Sequence, residues 1–371
     1  MRLSGWLVLA GLFATAAPAQ EAGRTPLTTL AAGQVVRFTG TDAISVSFEY
    51  EVDLAAKDAA LPLAQLLGQP LTVSPAAGWV VNGLIERVEQ LETPAEGAIY
   101  RVHLVPSLWR LRIRSGSRVY RDLTAAEIFA TVARNAGLTN ADYEFKLTRS
   151  LPKREATVQW QEDELTFVSR LLEDSGIHFH FEPTPTGHKM VLSDVNTGFP
   201  TLARLAFSTT STPSVSSFAQ GLSVTPLESP CAGTSTYPRL LAGFRIQLAG
   251  AEYILTRVEH RVGATGGYEA TFRCLPANIV FRPPAVTPHP QIPGILPARV
   301  VGPAGAQQFV DKSGRVLVRY ILPPTGIVNP NDLTDSLFAQ LVPGETPPAI
   351  GASVAIAFER GDPDRPVVLA Y

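Results

Sequence analysis

The segment VQWQEDELTFVSRLLEDSGIHF, residues 158–179, decides how this chain is read. Leu165, Val168, Leu171 and Leu172 fall on one stripe of a helix expected from about Glu162 to Asp174. Acidic residues gather at its N-terminal end, where the helix dipole favours them, and Gly176 supplies the stop. Beyond it, the run Ile177 to Phe181 begins a hairpin that turns over Pro183 to Gly187 and returns through His188 to Leu192, two apolar runs around a Pro/Gly turn. A helix entered and left this way reads as one laid on a sheet.

Working outward, a second helix follows Thr124, with Glu127 three residues on. That pair forms a capping box, which satisfies otherwise unpaired amides at a helix start; Ile128, Phe129 and Val132 supply the stripe and Gly137 the end. Upstream, Val36 and Phe38, then Ile44, Val46, Phe48 and Tyr50, alternate with polar residues at the period of half-buried strands. Leu61 to Gly68 interrupts, Trp79 to Val88 resumes around the turn-prone Asn82-Gly83, and Ala98 to Pro106 closes the set. From Ala206 to about Thr236 the chain turns Ser-, Thr- and Pro-rich, as a surface connection or short edge pieces would, before strands return over Phe244–Leu248, Tyr253–His260 and Tyr268–Leu275. Six prolines between Pro283 and Pro297 stiffen the chain and withhold ladder donors, marking a linker. After it, Val354, Ile356 and Phe358 alternate, Gly361 to Asp364 must turn, and Val367, Leu369 and Tyr371 alternate again. So short an all-β piece closes naturally as a five- or six-stranded barrel.

The bulk numbers agree with a strand-rich body. Among 371 residues there are 29 Gly and 31 Pro beside 45% hydrophobic and 17% charged residues, a balance unlike that of a helical bundle or a disordered chain. Lys+Arg 31 against Asp+Glu 33 leaves a formal charge of −2 and no basic block to follow a phosphate backbone, so a nucleic-acid partner is not expected. The first residues read as a signal peptide: Arg2, an uncharged apolar run from Leu7 to Ala16, and a small-x-small site ending at Ala19. Cleavage there removes one positive charge, Arg2, and takes the formal charge from −2 to −3. No later stretch has the length and apolarity of a membrane span.

Two segments together resemble a family. Residues 158–179 are similar to the stretch of VgrG-type spike proteins that joins a strand to a helix and the next strand. The C-terminal pieces Val300 to Pro303, Asp311 to Val318, Ile350-Gly351 and Phe358 to Pro366 are similar to that family's OB-fold domain. The resemblance spans about residues 35–371. It implies a chain that is mainly β with inserted helices (α+β), a hub of β-barrel-like subdomains followed by a small OB-fold β-barrel. Residues 1–19 would be the signal peptide, 20–115 a β hub subdomain, 116–280 an α+β hub subdomain, 281–297 the Pro-rich linker and 298–371 the OB-fold spike base. It further implies a homotrimer seated on a hexameric, Hcp-like tube protein, with a separate spike-tip protein as a further partner and no small-molecule substrate. The function implied is that of a hub or spike base of a type VI secretion or other phage-tail-like contractile injection apparatus. The family's long β-helix needle has no counterpart before Tyr371, and residues 201–243 look short for it. The signal peptide sits awkwardly with loading onto a tube in the cytoplasm. It points to a secreted or periplasmic location, and to an alternative in which an exported binding or adhesion module retains the hub fold.

Candidate chemistry is thin. His178 and His180 share a strand face and His188 stands on the returning strand, a trio that invites zinc or copper; a hairpin also carries histidines on a wet face with no metal. Glu162, Asp163 and Glu164 suggest an acid/base pair, but consecutive carboxylates on a helix point apart and cap its dipole. No nucleophile elbow, phosphate loop or dinucleotide turn is present. No catalytic, cofactor-binding or metal-binding residue is therefore assigned, no cofactor is expected, and the chain is read as no enzyme. Around Asp311, Gly314 and Arg365 the expected role is turn architecture, with Arg365 pairing with Asp362 or Asp364. Cys231 and Cys274 are the two cysteines. In an exported protein they permit one disulfide, and Cys274 reads equally as a small buried hydrophobe.

Overall fold

The computed structural model describes residues 26–57, 60–92, 97–206, 208, 214–220, 231–263, 267–320, 333 and 335–370. The expected signal peptide over 1–19 lies outside them. Two compact units interleave along the chain. The first takes the described residues up to Trp109 with Asn140–Thr148 and His178–Pro283, the second Arg110–Thr139, Arg149–Ile177 and the described residues from Pro284 onward. Segment 116–280 is thus shared between them, and the pieces carrying both helices of the sequence reading fold with the C-terminal barrel.

In the first unit, strands run side by side in the order Val215–Gln220, Cys231–Ser235, Tyr268–Pro276, Ala251–Val262, Gln34–Ala43, Glu49–Ala56, Ala98–Val105, Trp79–Glu92 and Pro70–Ala76. Arg245–Leu248 and Thr201–Leu205 branch from the Ala251–Val262 strand. Period-two burial explains the middle of this sheet: Tyr50, Val52 and Leu54 face inward opposite Leu104, Val102 and Tyr100, so a slip of one residue would turn the whole set outward. The outward face carries a cross-strand charge ladder. Arg101 grips Asp53 with both arms of its fork, at 2.8 and 2.9 Å, and reaches Glu51 at 3.4 Å. A three-stranded sheet completes the unit: Tyr143–Lys146 runs parallel to Gly187–Ser193, which pairs antiparallel with His178–Thr184 as the expected hairpin.

Two expectations need correction. The alternation from Ile44 to Tyr50 is no single strand, because Gln34–Ala43 and Glu49–Ala56 form a hairpin whose turn places Ser45 at φ 63°. Asn82-Gly83 makes no turn. Both lie within the continuous strand Trp79–Glu92, opposite Thr72 and Leu71, and the turn precedes them at Gly78, φ 71°. Gly83 serves close approach instead, since a Cβ there would stand 3.0 Å from Leu104 Cβ and 3.1 Å from the Val105 oxygen.

In the second unit, Ser115–Leu123 pairs antiparallel with Arg154–Asp163. The helices α1 (Ala125–Asn135) and α2 (Glu164–Asp174) pack with these strands and with each other. The capping box is present: the Glu127 amide donates to Thr124 Oγ1 at 3.2 Å, and Glu127 Oε2 accepts the Thr124 amide at 2.8 Å. Helix α2 begins two residues later than its stripe suggested, because Asp163 is its N-cap and accepts the Thr166 amide at 2.8 Å. The barrel closes in the order Leu296–Val300, Val316–Tyr320, Leu337–Leu341, Pro366–Ala370 and Ser353–Phe358, with its third and fifth strands in sequence parallel. Val119 and Val158, from the two-stranded sheet, belong to the same apolar core as Val300, Val318, Ile356 and Val368. The expected linker is not a bare spacer. Glu173 on α2 accepts the Val286 and Thr287 amides at 3.1 and 3.0 Å, and buried Ile292 donates its amide to the Gly361 carbonyl at 2.8 Å.

Candidate functional site

The two segments that carry the family resemblance meet at Val158, a junction that lies wholly within the second unit. Val158 stands opposite Val119 in the two-stranded sheet, and side chains serve the backbone groups of its outer edge. Asp364 Oδ1 accepts the Val158 amide at 2.6 Å, and Arg170 Nη2 donates to the Val158 carbonyl at 2.7 Å. A buried strand edge needs such partners, because an unmet amide or carbonyl there costs about as much as a lost hydrogen bond. Arg170 is 3% exposed; its Nη2 lies 2.6 Å from Glu162 Oε1, and its guanidinium sits 5.0 Å from the Phe167 ring centroid. Gln161, the residue before Glu162, takes φ 47°.

Asp364 owes its position to the turn before it. Gly361 at φ 79° bends the chain, Asp362 Oδ1 accepts the Asp364 amide at 3.0 Å, and the Tyr320 hydroxyl donates to the Pro363 carbonyl at 2.8 Å. Burial pushes the Asp364 carboxyl up to about 6, opposed by the Val158 amide. Arg365, as expected, pairs with Asp362, at 3.5 Å, and also approaches Glu359 at 3.8 Å; it is 68% exposed. Asp364 goes to the strand instead. The other C-terminal motif reaches the same sheet. Gly314 takes the anticipated positive φ of 77°, and Arg315 bridges Asp311, Nε to Oδ2 at 2.8 Å, to Glu155, Nη2 to Oε1 at 2.6 Å. A polar cleft of about 450 Å³ lies between these groups, lined by Glu155, Arg315, Phe338, Glu359, Asp364 and Arg365.

The three consecutive carboxylates have separate structural tasks. Glu162 holds Arg170, Asp163 caps α2, and buried Glu164 accepts from Arg114 Nε at 3.0 Å. Burial raises the Glu164 carboxyl and Arg114 opposes the rise.

The histidines do not converge. His188 pairs with Pro183, and His178 and His180 pair with Ser193 and Val191, so strand alternation puts His188 on the opposite face of the hairpin from the other two. The face that carries His178 and His180 is not wet, since both are at most 1% exposed, and His188 on the other face is half-buried. His178 stacks on Phe199 with centroids 4.5 Å apart, and His180 Nε2 lies 3.3 Å from Glu182 Oε1. His188 Nε2 accepts the Ser107 amide at 2.9 Å, which leaves its proton on Nδ1. Burial presses His178 down to about 3 and His188 to about 4, and lowers His180 as well. Among the described residues, no group of three or more His, Cys, Asp or Glu side chains has metal-binding geometry.

Sequence reasoning missed a second buried polar group in the first unit. Asp42, 3% exposed, accepts the Ala242 amide at 2.9 Å, and burial pushes its carboxyl up to about 7. Nearby, His260 Nδ1 lies 2.9 Å from the Tyr268 hydroxyl and its ring 4.9 Å from Trp79; burial presses it to about 3. Gly40 makes room here, since a Cβ would fall within 2.1 Å of the Tyr50 ring. An Asp at the inward parity of a strand, two residues past Gly40 and four past Phe38, was the available signal. The adjoining cavity has a volume of only about 30 Å³, far below the roughly 300–1,000 Å³ of ligand pockets.

Comparison with known proteins accounts for this architecture. The Type VI secretion system spike proteins VgrG4b and VgrG5 of Pseudomonas aeruginosa are 28% and 27% identical to this chain over 90% of its length, covering 54% and 55% of their own. The chain thus spans about half the length of these curated relatives. Among solved structures, the E. coli c3393 protein matches with a TM-score of 0.77 and 26% identity, over 91% of this chain and 96% of that one. It is described as a component of the type VI secretion system with structural similarity to the T4 bacteriophage tail proteins gp27 and gp5. The Francisella PdpA–VgrG complex shares the fold at a TM-score of 0.58 and 8% identity. Residues 41–229 match the phage tail baseplate hub (GPD) family, and this chain belongs to that family.

Proposed function

We propose that the protein is a structural hub and spike base of a contractile injection apparatus of the type VI kind, acting as a homotrimer seated on a hexameric, Hcp-like tube protein, with a separate tip protein as a further partner. The observation that carries this reading is the near end-to-end match with the c3393 structure, over 91% of this chain and 96% of that one. In this reading the closed five-stranded barrel is an OB-type spike base and the large sheet belongs to the hub. A mechanical, non-catalytic part is supported by the disposition of its acids, because Glu162, Asp163 and Glu164 each serve a structural partner. Light scattering on the purified chain at micromolar concentration is expected to give a trimer mass, and mixing with the tube protein a co-sedimenting complex. A stable monomer that ignores the tube protein would overturn the reading.

The signal-peptide pattern over residues 1–19 favours a second reading, an exported binding or adhesion module that has kept the hub fold. Fractionation of cells expressing the full chain separates the two. Periplasmic or surface-bound protein without tube association supports the second, and co-purification with tube and sheath components supports the first.

A further inference from the structure

Cys231 opens the strand Cys231–Ser235, and Cys274 lies near the end of Tyr268–Pro276. The register of that antiparallel pair sets them directly opposite each other, Cys231 against Cys274, with Ala232 against Arg273 and Gly233 against Phe272 following in step. Directly opposed residues in such a ladder project to the same face with Cα atoms about 4.5 or 5.5 Å apart, according to whether the pair is hydrogen-bonded. Either spacing lies inside the roughly 4.4–6.8 Å that a disulfide bridges. Both side chains are fully buried in one apolar cluster with Val215, Leu255 and Phe272. Burial raises the Cys274 thiol far above its ordinary range, and the neighbouring Cys231 thiol raises it further. A folded chain carrying two thiols therefore reacts slowly with an outside disulfide.

We propose that Cys231 and Cys274 are a built disulfide site, closing as an intramolecular cross-strand bond when the chain folds in an oxidising medium and stapling the Cys231–Ser235 strand, with its edge neighbour Val215–Gln220, to the rest of the sheet. The oxidant is a disulfide, either a small molecule such as glutathione disulfide or a protein that exchanges one. One cysteine thiolate attacks that disulfide, forming a mixed disulfide and releasing one thiol. The second cysteine thiolate then attacks the mixed disulfide at the protein sulfur, releasing the other thiol. The protein thus loses two protons and two electrons and gains one S–S bond, while the oxidant's S–S bond becomes two thiols. The inference is independent of trimer formation and of the tube partner. It gives the signal-peptide pattern a consequence, because oxidising compartments are where such bonds persist.

The full-length chain, unfolded in urea with reductant, is refolded in buffers of graded glutathione-to-glutathione-disulfide ratio. Remaining thiols are alkylated in denaturant, and intact mass and proteolytic peptides are read by mass spectrometry. The expected result is the loss of two hydrogens per chain, a peptide pair linked through Cys231 and Cys274, and a higher urea midpoint for the oxidised chain than for the reduced one. Offering the same oxidant to the chain already folded in reductant should close the bond at least tenfold more slowly. Alkylation of both cysteines after oxidising refolding, glutathione adducts on either, or links between chains would overturn the proposal. So would a linked form with a lower urea midpoint, since that ladder would be strained by the bond. The Cys274→Ser variant serves as control: its midpoint should no longer depend on the glutathione ratio, and continued dependence would count equally against the site.

Discussion

The two units meet the same problem, polar groups inside a β-rich interior, with different residues in the leading part. In the first, three imidazoles are kept neutral: His178, His188 and His260 are pressed by burial to about 3, 4 and 3, while Asp42 is pushed up to about 7 and Asp53 is paired with Arg101. In the second, a charge is buried but matched, Arg170 against Glu162, and Asp364 meets a backbone amide. A buried neutral imidazole resents protonation, whereas a buried matched charge resents loss of its partner. That difference sets where each unit is weak.

The largest expected effect is a divergence on acidification. A histidine whose folded value lies below its ordinary 6.5 contributes stability fully present above 6.5, which drains as pH falls toward the folded value. By pH 5 each of these three histidines withdraws about 2 kcal/mol from the first unit. Asp42 works the other way. Its raised carboxyl penalises folding above about 7, and that penalty is relieved as pH falls toward 3.8, returning about 2 kcal/mol by pH 5. Asp364, raised to about 6, likewise favours the second unit on acidification. Between pH 7 and pH 5 the balance should shift against the first unit by roughly 5 kcal/mol. Hydrogen exchange read by mass spectrometry at the two pH values checks this: peptides from Ala251–Val262 should lose protection while those from Val316–Tyr320 keep it. Equal loss in both would break the comparison, and Asp42→Asn should sharpen it by removing the compensating carboxylate while its amide oxygen still accepts from Ala242.

Next in size is Arg170→Ala, which leaves Glu162 buried without its cation and the Val158 carbonyl without its donor. Breaking a buried pair from one side costs about 3 to 5 kcal/mol. Urea unfolding followed through exchange in the 154–163 strand should show that loss, with little change in the first unit. A loss below about 1 kcal/mol would mean that water reaches Glu162 and that the pair behaves as a surface bridge.

Much of this was legible in sequence where the determining groups are neighbours. The Thr124–Glu127 capping box, the Val168–Leu171–Leu172 stripe, the hairpin at Pro183 to Gly187 and the positive φ at Gly314 all came from spacing alone. What was not legible depends on distant chain. Asp364 and Val158 are 206 positions apart, and nothing in the Gly-Asp-Pro-Asp turn announces an amide waiting on another strand. The division into segments followed chain order, whereas the molecule packs Val119 and Val158 with the barrel. The histidine hairpin shows a subtler limit. Its sequence reveals the strand parity of His178 and His180, but only the register, His188 against Pro183, puts the third ring on the other face.

The smallest effects probe the turn itself and separate two adjacent residues that look alike in sequence. Asp364→Ala removes the acceptor from the Val158 amide, and a buried donor left unmet costs about 1 to 3 kcal/mol. Asp364→Asn keeps an acceptor there and should recover most of that loss while erasing the pH dependence that the carboxylate brings to the second unit near pH 6. Arg365 projects mostly into solvent, with long contacts of 3.5 Å to Asp362 and 3.8 Å to Glu359. An exposed pair of this kind contributes about 0 to 1 kcal/mol, so Arg365→Ala should leave the urea midpoint of the second unit nearly unmoved. If instead Arg365→Ala matched Asp364→Ala in cost, the turn would be held from outside by its cation, and the inward hydrogen bond to Val158 would lose its place as the link between the two motifs.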